Sequence, residues 1–407
     1  MAFVVVGFAQ VNTATLSQVG TNQTSIQQQI GNKLQSTVTQ GTGSDITINT
    51  YNWSKTDQSG INQKATISQA NGADYNQATI TQVNRDNTAA IYETGGSAYN
   101  MATISQSGAG SSGTIRQENA SVANQASLIQ IGSGNGGTIA QNDGSGSVGN
   151  GNTANLYQQG NGNTQTSIFQ NNSSYRNQAN LNQYGDNNGE TRISQSNQST
   201  GNAARIDMGG GLGSGSPDGS YGFAVNNGTA IIEQNNTSHG NQARIGQSGN
   251  GHNAQIYQND NVANSEAYID QFPSAANTGL IRQTNGQNNL ARITQNQGTF
   301  PGGGGNLAEV FQGNGGGLSS RNTTLVTQEN AGNVSRNEQL GNDNRADINQ
   351  MGNGNIVAGI NGDTIARQAG SGNQFTVMQN SLGGVANSAH ISQIGSGNVA
   401  TIRQTGN

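Results

Sequence analysis

Glutamines recur along this chain at alternating intervals of 11 and 13 residues. The steps from Gln106 to Gln117, Gln130 and Gln141 are 11, 13 and 11, and those from Gln234 to Gln247, Gln258 and Gln271 are 13, 11 and 13. An unstructured chain has no reason to hold such a register, and a period of about 24 residues lies in the range of stacked repeat architectures. Gln117, Gln141, Gln258 and Gln271 close looser copies, with Gly or Ala four residues earlier and Ile two residues earlier, of one heptamer that Gln106, Gln130 and Gln247 close in full, Asn-x-Ala-x-(Ile/Leu/Val)-x-Gln. It is read at Asn12, Ala14, Leu16 and Gln18, at Asn76, Ala78, Ile80 and Gln82, and at Asn124, Ala126, Leu128 and Gln130. Further copies stand at Asn241, Ala243, Ile245 and Gln247, at Asn344, Ala346, Ile348 and Gln350, and at Asn398, Ala400, Ile402 and Gln404. In an extended strand these alternate positions share one face, so Asn, Ala, Ile and Gln point inward together. A helix is a poor reading of the same residues, because the apolar spacing is two and Gly, Asn and Thr are weak helix formers.

Between the heptamers lie turns, clearest as Gln-x-Gly-x-x-Asn with Gly132, Gly341, Gly352 and Gly395 in the glycine position. Gly and Asn tolerate positive φ, so a tight reversal is cheap there. Strand, tight arc, strand, tight arc is one rung of a β-solenoid, and the spacing predicts an all-β chain of about 15 two-strand rungs, roughly 70 Å long at ~4.8 Å per rung.

Composition matters because it offers little aliphatic surface for an ordinary core: apolar residues are 30% and charged residues 9%, against about 25% charged in an ordinary soluble domain. Such a chain could be disordered or prion-like, and the register is what argues otherwise. Stacking sets Ala on Ala, Ile on Ile, Asn on Asn and Gln on Gln, and amide ladders use donor and acceptor along the axis, so buried Asn and Gln are satisfied. A charge in those rows would lack a partner. Glu93 and Met208 are the conspicuous departures from glutamine in the closing row.

One solenoid domain is expected over 10–407. Residues 1–9, an apolar run, are either the remnant of an export signal or a first strand. Register breaks near 45–60, 209–222, 298–305 and 313–321, rich in Gly and carrying Pro217 and Pro301, are expected to bulge as loops. In 355–368, Ile360 and Ile365 fall out of phase and no strands are assigned.

The net charge of -5 is small and the basic residues are scattered, which leaves no footprint for nucleic acid. Cysteine is absent, so neither disulfides nor thiolate metal sites form. No apolar run reaches the ~20 residues of a membrane-spanning helix. Carboxylates are dispersed instead of clustered in a groove, and His239, His252 and His390 lack metal-ligand spacing. The expectation is a non-enzyme with no cofactor, no metal and no membrane insertion.

The motif Gln-x-Gly-x-x-Asn-x-Ala-x-x-x-Gln resembles the curlin repeat of bacterial curli major subunits. It is matched at Gln393, Gly395, Asn398, Ala400 and Gln404 and at Gln339, Gly341, Asn344, Ala346 and Gln350; at Gln247, Gly249, His252, Ala254 and Gln258 a histidine replaces Asn. The resemblance implies export as an unfolded chain through an outer-membrane secretion pore, nucleation by a minor subunit, and assembly into extracellular functional amyloid of the biofilm matrix. The pattern also runs uncapped to Asn407, and open strand edges template the addition of another chain. A head-to-tail homopolymer that mediates adhesion is therefore the first functional expectation. The alternative is a soluble surface-binding solenoid of adhesin or ice-binding type. Outward Thr-x-Thr pairs at Thr13 and Thr15 and at Thr79 and Thr81 suit it, while Arg205, Arg244 and Arg292 interrupt comparable positions.

Overall fold

The structure, a computed structural model, describes residues 11–41, 50–142, 151–209, 228–272, 276–296, 305–313, 319–381 and 385–406. The expected loops at 209–222 (beyond Gly209) and 298–304, and the stretch 1–9, lie outside the described residues, as do 45–49 and 314–318. Every described regular element is a β-strand and every strand pairing is parallel, so the described chain is an all-β solenoid. It divides into two compact units, 1–162 and 163–407, each described by itself.

Among the described residues the first unit holds six rungs, from Thr13–Gln18 with Thr24–Asn32 to Gly136–Ala140 with Thr153–Gln159. Odd strands stack into one sheet and even strands into the other, each strand pairing with the strand two places on in sequence. The register carries no stagger. Ala78, Ala102, Ala126 and Ala154 align in one row, Ile80, Ile104, Leu128 and Leu156 in the next, and Gln82, Gln106, Gln130 and Gln158 in the third. A slip of one residue would turn all three rows to solvent, which is why alternation specifies register so strictly. These aliphatic side chains are buried between the sheets, Ile80, Ile104 and Leu128 at 0% exposure.

Leu128 and the small residues opposite it show how the core stays filled. A Cβ added to Gly113 or Gly137, which occupy the alanine row of the facing sheet, would come within 3.1 Å of a Leu128 methyl. A leucine in the isoleucine row is thus accommodated by dropping a methyl across the interior, as close packing requires.

Among the described residues the second unit holds nine rungs, from Thr166–Phe169 with Gln178–Tyr184 to a final pair ending in Val399–Thr405. Ala204, Ala243 and Ala267, Ile206, Ile245 and Ile269, and Met208, Gln247 and Gln271 repeat the three rows. Further on, Ala346 aligns with Thr324 and Phe375, Ile348 with Val326 and Val377, and Gln350 with Gln328 and Gln379.

Two expectations need correction. The segment 45–60 is not a loop throughout, because Trp53–Ile61 is a strand in full register with Thr24–Asn32 and Gln77–Arg85. Its inward residues Ser54, Thr56 and Gln58 are buried in the Ala, Ile and Gln rows, and the two hydroxyls disguised it. Thr56 Oγ1 lies 2.7 Å from Ser36 Oγ, which stands in the alanine row of the other sheet, so two polar replacements satisfy one another across the core. The same compensation joins Asn337 Nδ2 to Thr324 Oγ1 at 2.9 Å.

The second correction concerns the inward residues of the outermost described strands, which are aligned but not buried. Ala14, Leu16 and Gln18 pair with Ser36, Val38 and Gln40, yet the whole strand Thr13–Gln18 is exposed. Asn398 is exposed, and Ala400, Ile402 and Gln404 are half-buried beside Phe375, Val377 and Gln379. Each of these strands pairs on one side only among the described residues. In 355–368 one strand is split: Ile356–Ala358 pairs with Val334 and Ser335, and Ala366–Ser371 with Asn337 to Asn342 of the same strand, Val334–Asn342, so 359–365 is an insertion inside a rung.

Candidate functional site

The chemistry of this chain is concentrated in its buried amide rows. Each interior glutamine closes its strand at a corner where it reaches a backbone carbonyl at the start of a facing strand. Where the next rung also holds a glutamine, one Nε2 hydrogen goes to that carbonyl and the other to the Oε1 of that glutamine. Gln82 donates to Lys64 O at 3.0 Å and to Gln106 Oε1 at 2.9 Å; Gln106 donates to Thr88 O at 3.0 Å and to Gln130 Oε1 at 2.8 Å. In the second unit Gln247 donates to Gln271 Oε1 at 2.9 Å, Gln271 to Gln295 at 2.8 Å, and Gln350 to Gln379 at 3.0 Å. Gln379 then meets Gln404 Oε1 at 2.8 Å. The donors all point toward the C-terminal neighbour, so each ladder is a polar chain whose bonds reinforce one another.

Asparagines brace the opposite corners. The backbone N–H of Asn100 donates to Asn76 Oδ1 at 2.9 Å, that of Asn124 to Asn100 Oδ1 at 2.9 Å, and that of Asn152 to Asn124 Oδ1 at 2.8 Å. Meanwhile Asn76 Nδ2 donates to Ser97 O at 3.0 Å, a carbonyl of the next turn. Asn241, Asn344 and Asn398 do the same work in the second unit: Asn241 donates its N–H to Asn202 Oδ1 and its Nδ2 to Val262 O, both at 2.9 Å. Asn344 Nδ2 reaches Gly370 O at 3.0 Å and Asn398 N reaches Asn373 Oδ1 at 3.1 Å. Asn12 Oδ1 accepts from Leu34 N at 3.1 Å.

His252 replaces an asparagine without breaking this row. Its Nδ1 accepts the backbone N–H of Asn277 at 3.1 Å, which leaves the ring proton on Nε2, 2.8 Å from Ser248 O. Burial lowers its pKa against the raising effect of the Ser248 bond. The ring is a structural brace, 1% exposed. His390, exposed, bonds Gly359 O at 2.7 Å and Ser388 Oγ at 2.9 Å.

Both departures from glutamine interrupt the ladder in the same way. Met208 accepts Thr191 Oγ1 at 3.1 Å and faces Gln183 Nε2 at 3.9 Å, but it has no hydrogen to pass on, and Gln247 Oε1 is left without a partner. Glu93 accepts Gln69 Nε2 at 2.7 Å on Oε2, and then both Glu93 Oε1 and Gln117 Oε1 lack a donor. Glu93 is fully buried. Burial pushes its carboxyl up to about 8, against the lowering effect of the Gln69 bond.

The turn glycines serve stacking as much as bending. Gly132, Gly341, Gly352 and Gly395 adopt φ of 107°, 96°, 90° and 107°. A Cβ on Gly132 would collide with the carbonyl oxygen of Gly160, and one on Gly341 with that of Gly370. Sequence reasoning missed a second left-handed position, the residue before the inward asparagine. Tyr75, Tyr99 and Ala123 hold it at φ 55°, 57° and 56°. Tyr51, Tyr75 and Tyr99 consequently form an exposed stack, with ring centroids 4.8 and 5.0 Å apart. Their 24-residue spacing was the signal that could have revealed it.

Outward charges pair locally: Arg205 with Asp207 at 2.6 Å and Arg292 with Asp270 at 3.4 Å. Among the described residues no group of three or more His, Asp or Glu is placed to hold a metal. No protein-family model matches the chain, and no curated protein matches it.

Proposed function

We propose that this chain is a structural subunit that assembles end to end with copies of itself into an extracellular, amyloid-like fibre of the curlin kind, serving adhesion and cell aggregation. The observation that carries this reading is translational self-complementarity. Successive rungs, as from Gln77 to Gln159, offer one another the same inward rows and the same polar ladders, without stagger. A rung contributed by a second copy therefore meets the contacts that an internal rung meets, which is the logic of cross-β stacking. The exposed inward face of the strand Thr13–Gln18, with Leu16 at 47% where the aligned Val38 is at 0%, suits such an encounter. Export through an outer-membrane pore and initiation by a minor nucleating subunit belong to the same proposal and rest on the motif resemblance alone.

The test is the behaviour of the purified full-length chain. Conversion from soluble protein to fibres with a meridional reflection near ~4.7 Å is expected, with the conversion seeded by preformed fragments. A chain that folds and stays monomeric under seeding would overturn the proposal and favour the surface-binding solenoid.

A further inference from the structure

Glu93 is the one place among the described residues where a carboxyl replaces an amide inside a closed glutamine row. The row runs from Gln40 to Gln69 at 2.9 Å, from Gln69 to Glu93 at 2.7 Å, and from Gln117 to Gln141 at 2.8 Å. Only the link from Glu93 to Gln117 is missing, and the two oxygens it would join, Glu93 Oε1 and Gln117 Oε1, are both buried without a donor. Two buried acceptors cannot satisfy one another unless a hydrogen stands between them.

We infer that Glu93 folds as the neutral carboxylic acid, with its proton on Oε1 donated to Gln117 Oε1, so that the ladder is continuous and closing this rung takes a proton from solvent.

The surroundings support a neutral group. Gln69 Nε2 donates to the carbonyls of Trp53 and Asn76 at 3.0 and 3.1 Å, and Gln117 Nε2 to that of Met101 at 3.4 Å, so this corner is lined with acceptors. Among the described residues no cation enters it. Lys64 and Arg116 on the adjoining strands are exposed, Arg116 pairs with Glu118 at 3.3 Å and lies over the Tyr92 ring, and both partners stand outside the core. The facing strands Gln77–Arg85 and Met101–Ala109 contribute only Arg85, also exposed; Lys55 and Asp57, one strand further, pair with each other outside. Burial is the cause that raises the carboxyl's proton affinity, and no charged neighbour opposes it.

The consequence is a folded state that alkali weakens. Because the folded value lies above the unfolded one, the stabilisation is complete below the ordinary 4.5 and is lost as pH rises toward about 8. Glu93→Gln supplies the donor that the row uses elsewhere, so the variant should fold with an uninterrupted ladder. Urea denaturation of the full chain, followed by circular dichroism from pH 5 to pH 9, reads the difference. Relative to Glu93→Gln, the folded-to-unfolded ratio of the wild type should fall by about tenfold per pH unit from pH 5 to about 8 and level off above that, on the order of a thousandfold in all. Parallel pH dependences for the two proteins would overturn the inference. Infrared spectroscopy of the wild type at neutral pH gives an independent reading: a protonated-carboxyl carbonyl band, absent from Glu93→Gln, is expected. Its absence from the wild type would overturn the inference even if the variant failed to fold.

Discussion

Met208→Gln should make the protein more stable, although it puts a polar residue into a fully buried position. The wild-type thioether receives a weak contact from Gln183 Nε2 at 3.9 Å and gives nothing to Gln247 Oε1, which is left orphaned. The introduced amide has partners for both its groups. Its oxygen accepts from Gln183, one hydrogen reaches Gln247 Oε1, and the other reaches a backbone carbonyl, as Gln247 itself does with Thr229 O at 3.0 Å. Three such bonds contribute about 3 kcal/mol, and ending the desolvation of the Gln247 oxygen about 1 more. Loss of the methionine's apolar burial costs about 2 kcal/mol. The net is about 2 kcal/mol, or roughly a thirtyfold shift in the folding equilibrium. Urea denaturation monitored by circular dichroism, with Met208→Leu as the apolar comparison, measures it. A Met208→Gln midpoint at or below that of Met208→Leu would refute the premise that ladder continuity stabilises the core.

His252→Asn tests the opposite pH limb. Burial lowers the histidine's folded-state pKa, so the unfolded chain takes up the proton first and stability is lost as pH falls below the ordinary 6.5. The variant should match the wild type near pH 8 and exceed it at pH 5 in denaturant midpoint; equal midpoints at pH 5 would show that Nδ1 is not the acceptor for Asn277. Gly132→Ala, at φ 107° and against the Gly160 carbonyl, should cost about 3 kcal/mol or more. Gly134→Ala, at φ 65° with only Gly162 N at 3.9 Å, should cost about 1 kcal/mol, and equal losses in thermal melts would show that strain, not inter-rung contact, sets the requirement.

Much of this fold is readable because its interior repeats. Ala78, Ile80 and Gln82 occupy one face at alternate positions, and their copies recur at a fixed period, so facing direction and stacking order follow from spacing alone. Glu93 and Met208 stand out for the same reason: a row that is otherwise amide makes any other residue conspicuous. Trp53–Ile61 escaped notice because its aliphatic positions hold Ser54 and Thr56. Whether a hydroxyl can be buried depends on what faces it, and the Ser36 that faces Thr56 belongs to another strand. The split strand around 359–365 was hidden too, since an insertion shifts phase in sequence while leaving register in space intact.

The sequence by itself determined most of the strands, their inward faces, the two-strand rung and the glycine turns, because each follows from local alternation and backbone freedom. Only the tertiary structure decided which way the amide ladders run, which atoms are left orphaned at Glu93 and Met208, and that His252 keeps its row whole. Those outcomes depend on hydrogen-bond donors and acceptors meeting between residues about 24 apart, and a broken link is visible only when both orphaned atoms, Glu93 Oε1 and Gln117 Oε1, are seen in the same row.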